Sequence, residues 1–571
     1  MQSRSVSAWP PGPGVRFGHA STPVILVVVA YALMAALCQR EWLFDGEMYA
    51  EMATNYFLHA ETSRAATILF ARDAGYWPLP QRVLAGLFHA LGLRAMAIPY
   101  AYTWSALLGA GLLAGSFAHP LFRPLVRCDL VRVAAALLLL LSLDFETRGF
   151  INFTYLVVVF GAALAALVVR ERDPALRWWC WLLPLLVLSK PHVLIVVPLA
   201  AIAAVLGRGR GRVLMLGTVA AGLLQAAVLL WSSAQGMMSE VGAPGVSLLS
   251  KLRNGMVFGF GLAGGDIVGP AAFRPGMATT LLVAGLAVTL FTLLAWWRSR
   301  AGGAALMLAG LGLMVGTGLL NALTLSTMWN GSLDQLNQAG IFRYKVTAIA
   351  GAFLFVAGAV DLVAGWLAPV LLRRPSGAAV AVVRVLPILL LSAWVVLTGS
   401  SFYPQLITEP TRFPLAGAGQ WQRAAALVDA PDAAACVPLN PLGWTFPKRC
   451  IQLLPLTPPT AEIAFGPEAA VAVEAPAAIA PFQLLAVAVA VRPAGTAFRT
   501  ARLRASVEHA DGTSTFAGDV ALRPDGAQVL LSGTGPVRGV RAIRLQTDTD
   551  LVLLANPAEA GPRPSVAWMG R

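Results

Sequence analysis

Residues 277–300 read MATTLLVAGLAVTLFTLLAWWRSR. Twenty-one residues without a charge end on Arg298 and Arg300, which is how a helix that crosses a lipid bilayer stops at its surface. A hydrocarbon layer of ~30 Å at 1.5 Å per residue requires about 20 apolar residues. The whole chain shares this texture: of 571 residues 57% are hydrophobic and 12% charged, with a mean hydropathy of +0.69. Soluble proteins carry roughly 45–50% apolar and about 25% charged residues. A water-soluble enzyme and a disordered chain are both excluded, because neither hides so much apolar surface.

Ten further stretches read the same way, giving eleven expected spans near 22–38, 97–118, 130–143, 152–169, 177–189, 192–207, 213–232, 277–297, 303–325, 346–368 and 384–400. Ser189-Lys190-Pro191-His192 interrupts the fifth and sixth. Alternate connections carry Arg123/Arg127/Arg132, Arg170/Arg172/Arg177, Arg208/Arg210/Arg212, Arg298/Arg300 and Arg373/Arg374/Arg384, and the N-terminal tail carries Arg4 and Arg16. One orientation explains them all: residues 1–21 as a cytoplasmic tail, these loops cytoplasmic, and the C-terminus outside. The first segment is not read as a cleaved leader, since Leu37 stands where a lipoprotein cleavage site wants a small residue.

The net charge of +14 belongs to this apolar part: residues 1–400 hold 28 Lys and Arg against 15 Asp and Glu, and residues 401–571 hold 14 against 13. No basic patch interleaved with aromatics points to nucleic acid. Beyond 400 the texture changes. Residues 401–460 are rich in Pro and aromatics, with a helical-looking Trp421–Val428. Residues 461–571 alternate apolar and polar side chains between turns such as Ala510-Asp511-Gly512 and Pro524-Asp525-Gly526, which reads as an extracytoplasmic β-sandwich. That compartment favours a Cys436–Cys450 disulfide; Cys38, Cys128 and Cys180 lie in or beside spans. No His or Cys spacing points to a metal.

The first outer loop, 39–96, collects six of the fifteen acids of the membrane part: Glu41, Asp45, Glu47, Glu51, Glu61 and Asp73. A helix beginning near Asp45 puts Met48, Met52 and Tyr56 on one face; the plainer reading has Asp45 capping it and Glu47 and Glu51 as first-turn acids. Gly75-Tyr76-Trp77-Pro78-Leu79-Pro80-Gln81-Arg82 follows, then an amphipathic run from Val83 to Leu93. Asp144 and Glu146 form a second acidic cluster after the third span. Lys190, His192, Arg343 and Lys345 lie at outer span ends, against the charge bias. Snorkelling explains the last two equally well, a helix-end hydrogen bond explains His192, and solvation explains the two acids. The glycine-rich stretch 233–275 reads as a partly re-entrant loop over a binding site or as a mobile surface loop.

These residues resemble the GT-C superfamily of integral-membrane glycosyltransferases: an Asp-x-Glu…Tyr motif in the first outer loop (Asp45, Glu47, Tyr49), amphipathic loop segments, acids after the third span, Arg343-Tyr344 at a late span, and an outer C-terminal domain. The resemblance covers roughly residues 20–400. It implies a transmembrane catalytic domain over 22–400 in the bacterial inner membrane, with a connecting segment 401–460 and the β-domain outside. It implies inverting transfer of a sugar from a polyprenyl-phosphate donor to a hydroxyl of a glycan, lipid or protein. Asp45 or Glu47 is then the base, Arg343, Lys190 and Arg82 are the phosphate partners, and Tyr49, Trp77, Asp144, Glu146 and His192 orient the acceptor. No cofactor or metal is implied, and carboxylates and late-chain cations are expected in one outer pocket. Trp421, Trp444 and Tyr403 are expected either to stack on sugar rings or to fill the domain's own core. Two rivals remain: an enzyme like the O-antigen ligases and polymerases, which typically carry their large outer loop late, and a secondary transporter, disfavoured by eleven spans with almost no charge inside them. A third, a membrane anchor for the β-domain, needs far fewer spans.

Overall fold

The computed structural model describes residues 17–44, 46–236, 246–269, 273, 276–324, 327–331, 333, 342–372 and 377–398, and beyond them 402, 421–422, 425, 428–429, 437–439, 444–446, 451–453, 461–477, 484–489, 491–493, 501–522, 529–537, 539–556 and 563–570. Two compact units divide the chain. One holds residues 1–34, 70–81 and 105–409, the other 35–69, 82–104 and 410–571.

Among the described residues, six helices are long and apolar enough to cross a bilayer: Phe153–Glu171, Gly209–Ala234, Ala278–Ser299, Gly302–Thr324, Tyr344–Leu371 and Ala379–Leu397. Eleven such helices are not found. Thr22–Cys38 has 17 residues and Asp129–Ser142 has 14, which at 1.5 Å per residue fall short of a ~30 Å layer. The expected fifth and sixth spans are Trp178–Val187 and Pro191–Leu206, bent by 116° at the break between them.

Helix packing in the first unit rests on small residues. Helices Gly302–Thr324 and Phe342–Leu371 run antiparallel with Gly303 against Gly358 and Gly310 against Gly351, so close that a Cβ on any of the four would press on the facing backbone. On another side of 302–324, Gly255 and Gly259 of helix Leu248–Val268 meet Leu319 and Val315. In a bilayer, where apolar side chains gain nothing by leaving lipid, such close backbone approach supplies the attraction between helices.

The arginine-bearing connections gather at one end of this unit. Asp129 accepts from Arg123 (2.6 Å), Arg132 (2.6 Å) and the backbone N–H of Phe17 (3.0 Å). Arg127 donates its backbone N–H to Asp361 at 2.8 Å, and Gly302 lies on the carbonyl of Pro124. His119 packs edge-on against Trp179 (5.3 Å), and Arg208 N–H donates to Arg172 O (2.8 Å). Both ends of the bent pair therefore lie here, and its apex reaches the other end, where Leu79 N–H donates to Leu188 O (2.9 Å).

The stretch 233–275 is not simply a loop, because 248–268 is helical. The rise of two charges near its start (Lys251, Arg253) and one near its end (Asp266) hides the apolar face that its glycines press onto helix 302–324. This helix stays in the half away from the arginines: Gly255 packs near the end of helix 302–324, Gly264 near the start of helix 278–299, and Ile267 O accepts from Trp394 Nε1 at 2.9 Å, close to the end of helix 377–397. The span interiors are also less free of charge than expected, since Asp361 lies within helix 342–371.

In the second unit the C-terminal strands are all antiparallel. Ala501–His509 pairs with Ser514–Leu522 across a turn in which Gly512 has φ +83° and Asp511 Oδ1 accepts from Thr513 N–H (2.9 Å). Val540–Thr547 lies on the other side of 501–509 and Val471–Glu474 beyond it. A second sheet orders 529–537, 484–489, 566–570 and 451–453, and a third holds 563–564, 551–556 and 461–465 with 491–493. Leu503, Val507, Ile543, Leu545, Val487, Leu553 and Trp568 share one buried cluster drawn from all three sheets. The sheets begin before 461, since Ile451–Leu453 pairs with Val566–Gly570. Pro524-Asp525-Gly526, Tyr403 and both Cys436 and Cys450 lie outside the described residues.

Replacing Gly310 by Val forces a side chain into the Gly351 backbone. Overpacking of this kind costs about 1–3 kcal/mol, so the variant should unfold at lower temperature in detergent than the parent; an unchanged unfolding temperature contradicts the packing.

Candidate functional site

In the first unit the site grows from a four-residue turn. Asp73 and Tyr76 exchange backbone hydrogen bonds (2.8 and 3.0 Å), and the two residues between them, Ala74 and Gly75, have φ of +44° and +85°. Positive φ at both central positions makes a tight reversal, which sets the Asp73 and Tyr76 side chains beside each other. Tyr76 Oη donates to Asp73 Oδ2 (3.2 Å) and accepts from Lys190 Nζ (2.5 Å), and the ammonium also stands 4.8 Å from the Tyr76 ring centre. Asp73, Tyr76 and Lys190 are all buried. An ammonium taken from water requires oxygen or π partners, and this turn delivers both.

Lys190 occupies the apex of the bent pair, where Pro191 prevents the preceding helix from continuing. Gln225 Nε2 donates to Ser189 O, a carbonyl freed there (2.7 Å), and to Trp77 O of the first loop (3.3 Å). Trp77 stacks on Phe70 at 5.2 Å. Two residues past Lys190, His192 Nε2 meets Asn321 Oδ1 (2.9 Å), and Asn321 Nδ2 donates to Tyr344 O (3.0 Å). Because the amide nitrogen of Asn321 is committed to that carbonyl, its oxygen faces His192, and His192 carries its proton on Nε2. Tyr155 and Tyr344 flank the imidazole at 5.3 and 5.7 Å. His192 is thus a helix-end hydrogen-bonder embedded among aromatics, and Lys345 follows Tyr344 into the same region with its Nζ 4.8 Å from the Phe273 ring.

Asp144 Oδ1 accepts from the N–H of Thr147 (2.9 Å) and so caps the short helix Phe145–Arg148. Burial pushes its carboxyl above the ordinary aspartate range. Glu146 lies within that helix, and its carbonyl accepts from Asn152 Nδ2 (2.9 Å).

In the second unit the acidic motif is braced by the C-terminal segment. Among the described residues no helix begins between Phe44 and Glu51. Helix Arg40–Phe44 ends, Gly46 turns the chain with φ +66°, and a π-helical turn runs over Met52–Phe57. Met48, Met52 and Tyr56 are each buried, but Met48 precedes the helical turn, so the three do not share one helix face. Glu47 Oε2 accepts the Trp421 N–H (3.3 Å), Gly46 O accepts from Gln422 Nε2 (2.9 Å), and Tyr49 O accepts the Met52 N–H (2.9 Å). Trp421 is fully buried, donates Nε1 to Ala95 O (2.7 Å) and packs edge-on against Phe57 and Phe446; it fills the unit's own core. Arg82 is fully buried as well. Its Nη1 donates to Asn55 O and meets His59 Nδ1 (3.2 Å), with the guanidinium 4.8 Å from the Tyr56 ring.

Of the expected residues, Lys190, Trp77, His192, Asp144 and Glu146 belong to the first unit, and Glu47, Tyr49 and Arg82 to the second. Asp45 and the side chains of Arg343 and Trp444 lie outside the described residues. Asp73 and Tyr76 were named from sequence only as a loop acid and part of an aromatic segment, with no site role, and Asn321 was not named; the Ala74-Gly75 pair between an acid and an aromatic was the local signal for the first two. Among the described residues no three His, Cys, Asp or Glu side chains stand together as a metal site. No known family, curated protein or solved structure matches this chain.

Gly46→Ala should destabilise the second unit by about 2 kcal/mol or more, because a Cβ at φ +66° is strained and would overlap Tyr100 and Gln422. The check is thermal unfolding of the purified protein; an alanine variant as stable as the parent contradicts the turn.

Proposed function

We propose that the chain is an inverting, polyprenyl-phosphate-sugar-dependent glycosyltransferase of the GT-C type, working at the outer face of a bacterial inner membrane. The observation that carries this reading is Lys190, a buried ammonium on unwound backbone at the apex of a bent helix pair, joined through Tyr76 to Asp73 of the first loop. Irregular backbone and ionisable groups among membrane helices are retained where they serve a ligand, and an ammonium suits a lipid phosphate. The finer architecture belongs to the same proposal: eleven crossings, counting the shorter helices and the two limbs of the bent pair, and a C-terminal β-sandwich outside the cell.

In the reaction the acceptor hydroxyl oxygen attacks the anomeric carbon from the face opposite the phosphate. The new glycosidic bond forms, the carbon–oxygen bond to phosphate breaks, and its electron pair leaves with the phosphate. Asp45 takes the acceptor's proton, with Glu47 beside it in sequence as electrostatic neighbour or alternative base. Lys190, Arg343 and Arg82 stabilise the charge that builds on the leaving phosphate. Tyr49, Trp77, Asp144, Glu146 and His192 orient the acceptor, which is a glycan, a lipid or a protein. No cofactor is required, and the donor is the lipid-linked sugar itself.

Asp45→Asn should lower transfer by roughly 10²–10⁴-fold with membrane insertion unchanged, and Lys190→Met by about 10²–10³-fold. The measurement is incorporation of labelled sugar from polyprenyl-phosphate donors by the purified protein in vesicles. Full activity in Asp45→Asn removes the assigned base, and full activity in Lys190→Met removes the phosphate role.

A further inference from the structure

A second cluster in the first unit has chemistry that phosphate binding leaves unused. Asp266, near the end of helix 248–268, is 1% exposed, and its Oδ2 is buried without a hydrogen-bond partner among the described residues. The Lys345 ammonium is its electrostatic neighbour and stands 4.8 Å from the ring of Phe273. Phe273 is itself buried, with its ring against Gly265 so closely that no Cβ would fit there. Lys345 follows Tyr344, whose carbonyl is tied through Asn321 to His192, so the cluster adjoins the Lys190 region within the same unit.

A buried carboxylate oxygen with no donor among the described residues is costly, and native structures keep such groups where a ligand or a water takes up the position beside them. Whatever takes it up must donate to Asp266 and tolerate, or accept from, Lys345. A metal cation is repelled by the ammonium and an anion by the carboxylate. A hydroxyl meets both demands, since it donates one hydrogen bond and accepts another. The aromatic face of Phe273 adds a surface suited to the C–H side of a sugar ring. From this arrangement we infer that Asp266, Lys345 and Phe273 form the subsite for a sugar hydroxyl: Asp266 Oδ2 accepts from that hydroxyl, Lys345 Nζ donates to it, and Phe273 lies against the ring. This deepens the transferase reading and rests on it for the origin of the sugar. It concerns binding only, so no bond is made or broken at these residues.

The test uses the full chain in detergent and reads ligand-induced thermal stabilisation with two probes, polyprenyl phosphate and the same lipid phosphate carrying a sugar. The parent should gain a further upward shift from the sugar. Asp266→Asn should lose that further shift while responding to bare polyprenyl phosphate as the parent does, and the apparent affinity for the sugar-bearing lipid should fall by roughly tenfold to a hundredfold. A panel of monodeoxy sugars offered to the unaltered protein is the second arm, independent of any variant: one of them should bind no better than the bare lipid phosphate. The inference is overturned if the sugar adds nothing in the parent, if Asp266→Asn keeps the whole increment, or if every monodeoxy sugar binds like the full one, which leaves a trapped water only. An increment that depends on Asp266 in a protein that transfers no sugar upholds the subsite and refutes the transferase reading.

Discussion

A buried ammonium governs the half of the helical unit away from the arginine-bearing connections 116–128, 170–177 and 298–302. Lys190 cannot leave water unaccompanied, and the chain meets this demand by giving up regular structure twice. It unwinds at 188–190 instead of continuing one helix, and it folds 73–76 into a tight reversal with a non-glycine residue, Ala74, at positive φ. Strain of that sort persists where the surroundings hold it in place, here through the Lys190–Tyr76–Asp73 bonds and the carbonyls taken up by Gln225.

The same demand fixes how the surrounding helices run. With both ends of the bent pair beside the arginine loops and its apex at Leu79, the pair makes an out-and-back excursion. Helix 248–268 likewise begins and ends in the half away from the arginines. In the other unit, Trp421 and Gln422 are hydrogen-bonded to the segment around Gly46 and Glu47, so the first loop and the C-terminal region share one compartment. In a bilayer the chain between them must then cross an even number of times, which a pair that goes out and comes back and a helix 248–268 that stays in one half both respect.

Much of this was legible in the sequence, for physical reasons that differ by element. Residues 277–300 are uniformly apolar and end in arginines, so their helix could be read without any partner. The alternation in Ala501–Val507 was equally clear, since Leu503 and Val507 point inward and Arg504 outward. Helix 248–268 was missed as a helix because its cohesion comes from Gly255 and Gly259 packing on another helix, and glycine lowers rather than raises a local helical signal. The break at Gly46 was hidden for the opposite reason: the acids around it suggest a helix start, and only the Tyr100 and Gln422 contacts explain why glycine stands there. Among site residues, cations at the wrong ends of spans drew attention to Lys190 and His192. Their partners Tyr76, Asp73 and Asn321 are long-range, and no spacing rule connects residue 76 to residue 190.

The proposed orientation, with the acidic loop and the sheet region outside the cell and the arginine-bearing connections inside, is tested most directly by labelling single cysteines with a membrane-impermeant maleimide, in a chain whose five native cysteines have been replaced. Glu61→Cys, Asp511→Cys and Arg210→Cys all fall at exposed positions. The account predicts that the first two react on intact spheroplasts and the third only after lysis. Reaction of Arg210→Cys from outside, with Glu61→Cys protected until lysis, would turn the molecule over and contradict it.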